Sequence, residues 1–326
     1  MKPRIYSHLS EQHKDRPQAI NITISILCPL YNEEEMVPVF LRRLVDLLEE
    51  IHKSFEVICI NDGSTDKTLT ALLVAKKEYP QLRIINLSRN FGKEAALSAG
   101  LDSSRGEVVI PIDADLQDPP ELIKEMIEHW EAGYDVVLAK RVDRCTDSFL
   151  KRNTALLFYK IHNSISSTAI PENVGDYRLM SRKVVNTIKA MPENQRFMKG
   201  LFAWVGFKTA EVEYTRAARK SGKSKFNGWR LWNLALDGIT SFSTLPIRIW
   251  LYLGIIISTL SLSYGFFIIF RTLILGVDVP GYASLLTSIL FLGGIQLVGI
   301  GLIGEYIGRI YMESKARPLY IVEGEY

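Results

Sequence analysis

The chain has 326 residues, 47% of them hydrophobic, with 39 basic and 36 acidic side chains and a formal net charge of +3 at pH 7. Its length fits one large or two modest units, and a charge balance so close to neutral makes no case for a nucleic-acid partner. The hydrophobic average conceals a division: no charged residue occurs over 249–270 or over 279–304, while the rest of the chain is densely charged.

In chain order, the opening stretch 1–20 is polar, holds no apolar segment that would serve as a secretory signal, and reads as a mobile tail. From residue 21 onward, β-rich runs alternate with helical patterns. Strands are predicted over 22–28, 56–60, 83–87, 108–112 and 135–139, and helices over 34–52, 66–79, 92–103 and 120–130. Several strands are almost continuous in Ile, Val and Leu, the pattern of a mainly parallel sheet with helices on both faces. The expected class is α/β, doubly wound and Rossmann-like. Ligands of such sheets collect beyond the carboxyl ends of the strands.

The loops at that edge hold the unusual residues. The first strand runs into Pro29-Leu30-Tyr31-Asn32-Glu33, the second into Asn61-Asp62-Gly63-Ser64-Thr65-Asp66, the third into Ser88-Arg89-Asn90-Phe91-Gly92-Lys93, and the fourth into Asp113-Ala114-Asp115-Leu116-Gln117-Asp118. Carboxylates at i and i+2 where a strand opens into a loop, here Asp113 and Asp115, can reach one hard cation suited to bridging nucleotide phosphates. A solvated acidic turn before the helix at Pro119 is the plain alternative for that motif alone. Asn61-Asp62-Gly63 is likewise a favoured turn, and Ser64 to Asp66 can cap a helix. Four such loops on one sheet edge together offer carboxylates, a planar aromatic, and Arg89 or Lys93 to face phosphate.

Cys28, Cys59 and Cys145 show neither paired nor metal-ligand spacing, which fits a reducing compartment. Over 226–248, Phe226, Trp229, Trp232 and Leu236 lie beside Lys225 and Arg230, a composition suited to a helix in the membrane interface or to one packed under the catalytic domain. The two uncharged runs predict transmembrane helices at about 249–271 and 281–304, each exceeding the ~20 apolar residues needed to span; a buried core helix is the alternative. Basic residues precede the first run and follow the second, so both ends, including the tail 306–326, are expected in the cytoplasm. Gly304 and Gly308 form a small-xxx-small spacing that fits close helix packing in a homo-oligomer. The stretch 319–322 suits either a strand added to a neighbouring subunit or packing on its own domain.

Taken in order, the four loop motifs resemble family 2 of the inverting glycosyltransferases. More narrowly they are similar to the polyprenyl-phosphate glycosyltransferases, namely dolichyl-phosphate mannose synthases and the bacterial enzymes that place glucose on undecaprenyl phosphate. The likeness covers nearly the whole chain, because the bacterial branch also carries two C-terminal spans. It implies a catalytic domain of the GT-A fold over 21–225, a divalent ion (Mg²⁺ or Mn²⁺), a nucleotide-sugar donor and a membrane polyprenyl-phosphate acceptor. UDP-glucose is the favoured donor; mannose, N-acetylglucosamine or a modified arabinose would use the same machinery.

On matching positions the resemblance implies that Pro29, Tyr31, Glu33 and Asp62 line the nucleoside pocket, with Lys93, Asp113, Ala114 and Asp115 completing the nucleotide-sugar site. Asp113, Asp115 and Gln117 would hold the metal. Asp176, in Gly175-Asp176-Tyr177-Arg178, matches the catalytic acidic residue, with Arg178 and Arg141 beside it. Arg141, Arg196, Lys199, Arg219, Lys220, Ser224 and Lys225 would face the lipid phosphate, the last four on a mobile loop. Processive relatives carry Gln-x-x-Arg-Trp, whereas Gln195 here is followed by Arg196-Phe197-Met198, so a single transfer is expected.

A phosphate monoester has a second pKa of about 6, so the acceptor is mostly ionised near neutrality. Asp176 is therefore expected to orient the acceptor or Arg178 more than to remove a proton, with a purely structural pairing to Arg178 as the alternative. A membrane-tethered nucleotide-sugar-binding protein is the non-enzymatic reading; it would keep the nucleotide loops but have no need of Asp176, Arg178 and 220–225.

Overall fold

The computed structural model describes residues 22–142, 171, 173–191, 193, 196, 198–215, 245–275 and 281–326. The tail 1–20, the loop holding Arg219, Lys220, Ser224 and Lys225, and most of the juxtamembrane segment 226–248 lie outside the described residues.

Four strand–helix pairs and a fifth strand come first: β1 Ile24–Leu30, α1 Met36–Glu50, β2 Phe55–Asn61, α2 Thr68–Glu78, β3 Leu82–Leu87, α3 Lys93–Ser103, β4 Val108–Pro111, α4 Leu122–Glu131 and β5 Val136–Arg141. Each strand and helix predicted between residues 22 and 139 is present, with ends displaced by at most two residues. The helix α1 shows why: its buried residues Val37, Phe40, Leu41, Leu44, Val45 and Leu48 recur at the helical period, and Pro38 sits in its first turn, where no N–H is needed. After these come β6 Val174–Ser181, α5 Arg182–Lys189, α6 Met198–Trp204, β7 Thr209–Tyr214, the long helices α7 Leu245–Leu275 and α8 Tyr282–Ser314, and β8 Val322–Glu325.

The strands form one eight-stranded sheet in the order β7-β5-β6-β4-β1-β2-β3-β8. Pairing is parallel from β3 through β2 and β1 to β4 and between β5 and β7, while β6 and β8 run antiparallel to their neighbours. The mainly parallel sheet is as expected. Alternation along β1 explains its two-sided burial: Ile24, Ile26, Cys28 and Leu30 join one core with α1 and α4, and Leu27 joins the other with α3 and α5. Cys28 and Cys59 are buried free thiols in that interior. The chain order reverses between β1 and β4, which creates a crevice at their carboxyl ends.

β8 resolves the alternatives left open for 319–322. It pairs with β3 of its own chain, Ile85 opposite Glu325 and Leu87 opposite Val322, with a bulge between Asn86 and Leu87. Its backbone bonds include Ser88 N–H to the Ile321 carbonyl at 3.0 Å and a reciprocal pair between Ile84 and Tyr326 at 2.9 Å. Sequence after the long helices therefore returns to the catalytic sheet.

Helix α7 continues beyond its predicted run at both ends, and α8 beyond its C-terminal end. Within α8, Phe291–Ser314 is long and apolar enough to cross a membrane by length and composition. Large side chains such as Phe266, Leu273 and Leu297 are at least 70% exposed, an apolar surface that water alone does not favour. The helices meet where the Trp250 indole lies on Gly299; a Cβ at that glycine would fall 2.1 Å from Nε1. Among the described residues, nothing lies within 4 Å of a Cβ placed at Gly304 or Gly308.

Candidate active site

The crevice gathers side chains from four strand ends. Asp62 follows β2 and is buried, with Oδ1 accepting the Phe91 N–H at 2.7 Å and Oδ2 the Gly92 N–H at 2.9 Å. Both oxygens are thus engaged in fixing the turn into α3, and burial raises the carboxyl against the lowering effect of those two N–H groups. Gly63 has φ +58°, and a Cβ there would lie 2.2 Å from the Arg89 carbonyl carbon. The loop after β2 is pressed on the loop after β3, and glycine is what permits it. Asn32, also at positive φ, receives Thr65 N–H on its Oδ1 at 2.9 Å, while its own N–H donates to Ser64 Oγ at 3.0 Å. These bonds tie the loops after β1 and β2 together, with Pro29 at the end of β1 and Tyr31 and Glu33 beyond it; Tyr31 is 38% exposed at the mouth of the crevice.

Lys93, at the start of α3, is the hub. Its Nζ lies 2.7 Å from Asp113 Oδ1 and 2.8 Å from Asp176 Oδ2. Burial would lower this lysine, but the two carboxylates outweigh it and hold its pKa well above the ordinary range. Burial likewise acts to raise Asp176, yet Lys93, Lys199 and Arg178 prevail and bring it down to about 2. Asp113 is raised by burial, partly offset by Lys93. Asp176, expected to orient the acceptor or Arg178, makes its ion pair within the described residues with Lys93, because α3 and β6 converge on the end of β4, while Arg178 stands near enough to act on it electrostatically. The expectation that Lys93 faces phosphate meets a lysine whose ammonium is already bridging carboxylates.

Arg178 is 5% exposed. Its guanidinium stacks on the Phe202 ring at 4.1 Å, one nitrogen donates to the Gly175 carbonyl at 2.6 Å, and Nε has no hydrogen-bond partner among the described residues. Burial lowers its pKa to about 10, against the opposing pull of Asp176. Arg141 donates from Nε to the Tyr214 hydroxyl at 3.1 Å and stands 3.8 Å from Asp118, which in turn accepts from Tyr214 at 2.5 Å. Arg196, expected at the acceptor, donates to Ser98 Oγ, Met191 O and Glu193 O, so its guanidinium braces the segment before α6. Lys199 lies in α6, close enough to act electrostatically on Asp176.

Two participants escape sequence reading. Tyr214 completes the Asp118–Arg141 cluster from β7. Glu94 accepts the Met198 N–H at 3.2 Å, and burial together with the Asp176 charge pushes it up to about 7. A charged residue next to Lys93 at a helix start carries no local mark of burial; the signal lies in α6, far along the chain.

For a divalent ion, Asp113 and Asp115 open the acidic turn, where Leu116 takes φ +55° and Gln117 N–H caps Asp115 Oδ1 at 3.1 Å. Ala114 and Gln117 are buried in this turn. Among the described residues no three His, Cys, Asp or Glu side chains converge on one point. That donor set still fits Mg²⁺ or Mn²⁺, since a hard ion at a phosphate site takes one or two carboxylates and completes its shell with substrate phosphate and water.

Acidic and basic side chains thus gather at the switch point of a doubly wound sheet that is followed by an apolar helical hairpin. Residues 25–189 match the family described as Glycosyl transferase family 2, and residues 245–310 match the GtrB C-terminal hairpin. The chain is 56% identical over 302 residues to a bactoprenol glucosyl transferase of Shigella phage SfV, covering 93% of this chain and 98% of that protein. It is 55% identical over 303 residues to an uncharacterised glycosyltransferase of Synechocystis sp., covering 93% and 95%. A solved mannosyltransferase from Pyrobaculum calidifontis, in complex with GDP-Man and Mn²⁺, is 18% identical with a TM-score of 0.43 over 70% of this chain and 65% of its own. The chain belongs to glycosyltransferase family 2, and the expected likeness to its polyprenyl-phosphate branch is borne out.

Proposed function

We propose that this enzyme transfers one glucose from UDP-glucose to the phosphate of a membrane polyprenyl phosphate, with inversion and with Mg²⁺ or Mn²⁺. The observation that carries the reading is the joint presence of the switch-point site and the helical hairpin in a chain matched almost end to end by a bactoprenol glucosyl transferase. Leaving-group departure develops negative charge on the nucleoside diphosphate, which a divalent ion held by Asp113 and Asp115 would stabilise. Asp62 and Gly63 shape the nucleoside loop. Arg178, whose Nε has no partner among the described residues, and Arg141 offer charge to the acceptor phosphate, whose oxygen attacks the anomeric carbon from the far side. Asp176 holds Lys93 and acts by orientation.

Both long helices are proposed to cross the membrane, with the catalytic domain and 306–326 in the cytoplasm. Support comes from the uncharged runs, the exposed apolar surface, and β8, whose return to the sheet requires an even number of crossings. The small-xxx-small spacing of Gly304 and Gly308, where nothing among the described residues lies within 4 Å of an added Cβ, supports close packing of a second copy.

The test is a donor panel on purified protein in lipid with undecaprenyl phosphate and Mg²⁺ or Mn²⁺, offering UDP-glucose, GDP-mannose and UDP-N-acetylglucosamine. A lipid-linked glucose is expected, abolished by chelator and lowered at least 100-fold in Asp115→Ala, taking the loss of a key electrostatic group as a guide. Transfer from GDP-mannose alone would replace the donor, and folded protein without any lipid product would overturn the reading.

A further inference from the structure

Where β2, β3 and β8 lie side by side, the apolar sheet is interrupted by a polar ladder. Asn61 and Asn86 are register partners on β2 and β3, exposed only 2% and 6%. Asn61 Nδ2 donates to Asn86 Oδ1 at 2.6 Å, and Asn86 Nδ2 donates to Glu323 Oε2 at 2.8 Å. The bulge in β8 makes this possible: Asn86 pairs with Gly324 and Leu87 with Val322, so Glu323 is the extra residue. A bulge re-aims a side chain that a regular strand would direct elsewhere.

The ladder has a direction. A carboxylate only accepts, so Asn86 must present its NH₂ to Glu323 and its oxygen to Asn61. Asn61 must then present its own NH₂ to Asn86, which leaves its oxygen for the Ser64 N–H at 3.4 Å. Ser64 Oγ receives the Asn32 N–H, and Asn32 receives Thr65. One acceptor on β8 thereby sets the amide polarity of two buried asparagines and, through them, the loops after β1 and β2. Tyr320, just before β8, adds a second tie from its hydroxyl to Asp102 Oδ2 on α3 at 2.8 Å.

We propose that Glu323 is a positioning residue for the donor-nucleotide loop, so that the segment following the membrane hairpin orders the site that binds the nucleoside diphosphate. Glu323 lies beyond both family matches, which end at 189 and 310. The inference rests on the reading of 61–65 as the nucleoside loop.

The experiment uses the full chain in lipid, comparing wild type, Glu323→Ala and Glu323→Gln. Amide hydrogen exchange over 61–65 is measured without ligand, UDP binding by calorimetry, and KM and kcat with UDP-glucose. Glu323→Ala is expected to speed exchange in 61–65, and to weaken UDP binding and raise donor KM by roughly five- to tenfold, as for a lost charge-assisted hydrogen bond, with kcat within about twofold. Glu323→Gln, whose amide oxygen still accepts, should recover most of that loss. Unchanged exchange in 61–65, or a fall in kcat and melting temperature with KM unmoved, overturns the proposal. Faster exchange in Glu323→Ala, with a wild type that binds no UDP, supports the positioning role and overturns the donor reading alone.

Discussion

Asp176 is the residue that the family resemblance implies as the catalytic carboxylate, yet its environment argues for another task. With a carboxyl held at about 2 and an ion pair to Lys93 at 2.8 Å, it is a poor proton acceptor near neutrality. Asp176→Asn should therefore lower kcat by roughly 100-fold and by the same factor from about pH 5.5 to 8.5. A loss confined to pH values below about 6, where the acceptor phosphate gains its second proton, would instead assign proton removal to Asp176. Stability follows the same group with a definite sign. Its folded pKa lies below the ordinary 3.8, so its contribution is complete above that value and is lost as pH falls toward 2.

At the scale of elements, the proposed nucleotide and metal groups lie in the loops after β1 to β4, while Asp176 and Arg178 stand on β6 and Arg141 at the end of β5. Gly63 is the point of closest approach. An alanine there adds ~1–2 kcal/mol of left-handed strain and also drives Cβ into the Arg89 backbone. Gly63→Ala is expected to weaken UDP binding by more than about tenfold, read by calorimetry, because the loops must part to admit the methyl group. Full binding would mean that the contact relaxes without cost. The first five strands and four helices are legible in the sequence because each is a local pattern of apolar residues ended by turn chemistry. The antiparallel insertion of β6, the Lys93 bridge and the β8 bulge are not, because each depends on residues remote in sequence meeting at one edge. Asp113 is legible from the paired carboxylates at a strand end and Asp176 from the likeness to a family; which cation joins them is a matter of packing.

For the whole molecule, the decisive connection is topological. The catalytic sheet contains strands that precede and follow the hairpin, so α7 and α8 either both cross the bilayer or both remain on one face. With both crossing, a membrane-impermeant thiol reagent should label Asp278→Cys in intact cells and reach Lys315→Cys only after the membrane is opened. Labelling of both positions in intact cells would remove the cytoplasmic assignment.

The strand β8 also gives the chain an order of assembly. Synthesis proceeds from the N-terminus, so β1 to β4 can pair long before residues 322–325 exist. Until then the outer edge of β3 is an unpaired strand, and Asn86 lacks the acceptor that fixes its amide. On the proposed role of Glu323, the nucleotide loop of a nascent chain is completed only after the hairpin has been made and its trailing segment has reached the sheet. With both helices crossing the membrane as proposed, newly made enzyme would then gain its full grip on the donor only once it is anchored beside its acceptor.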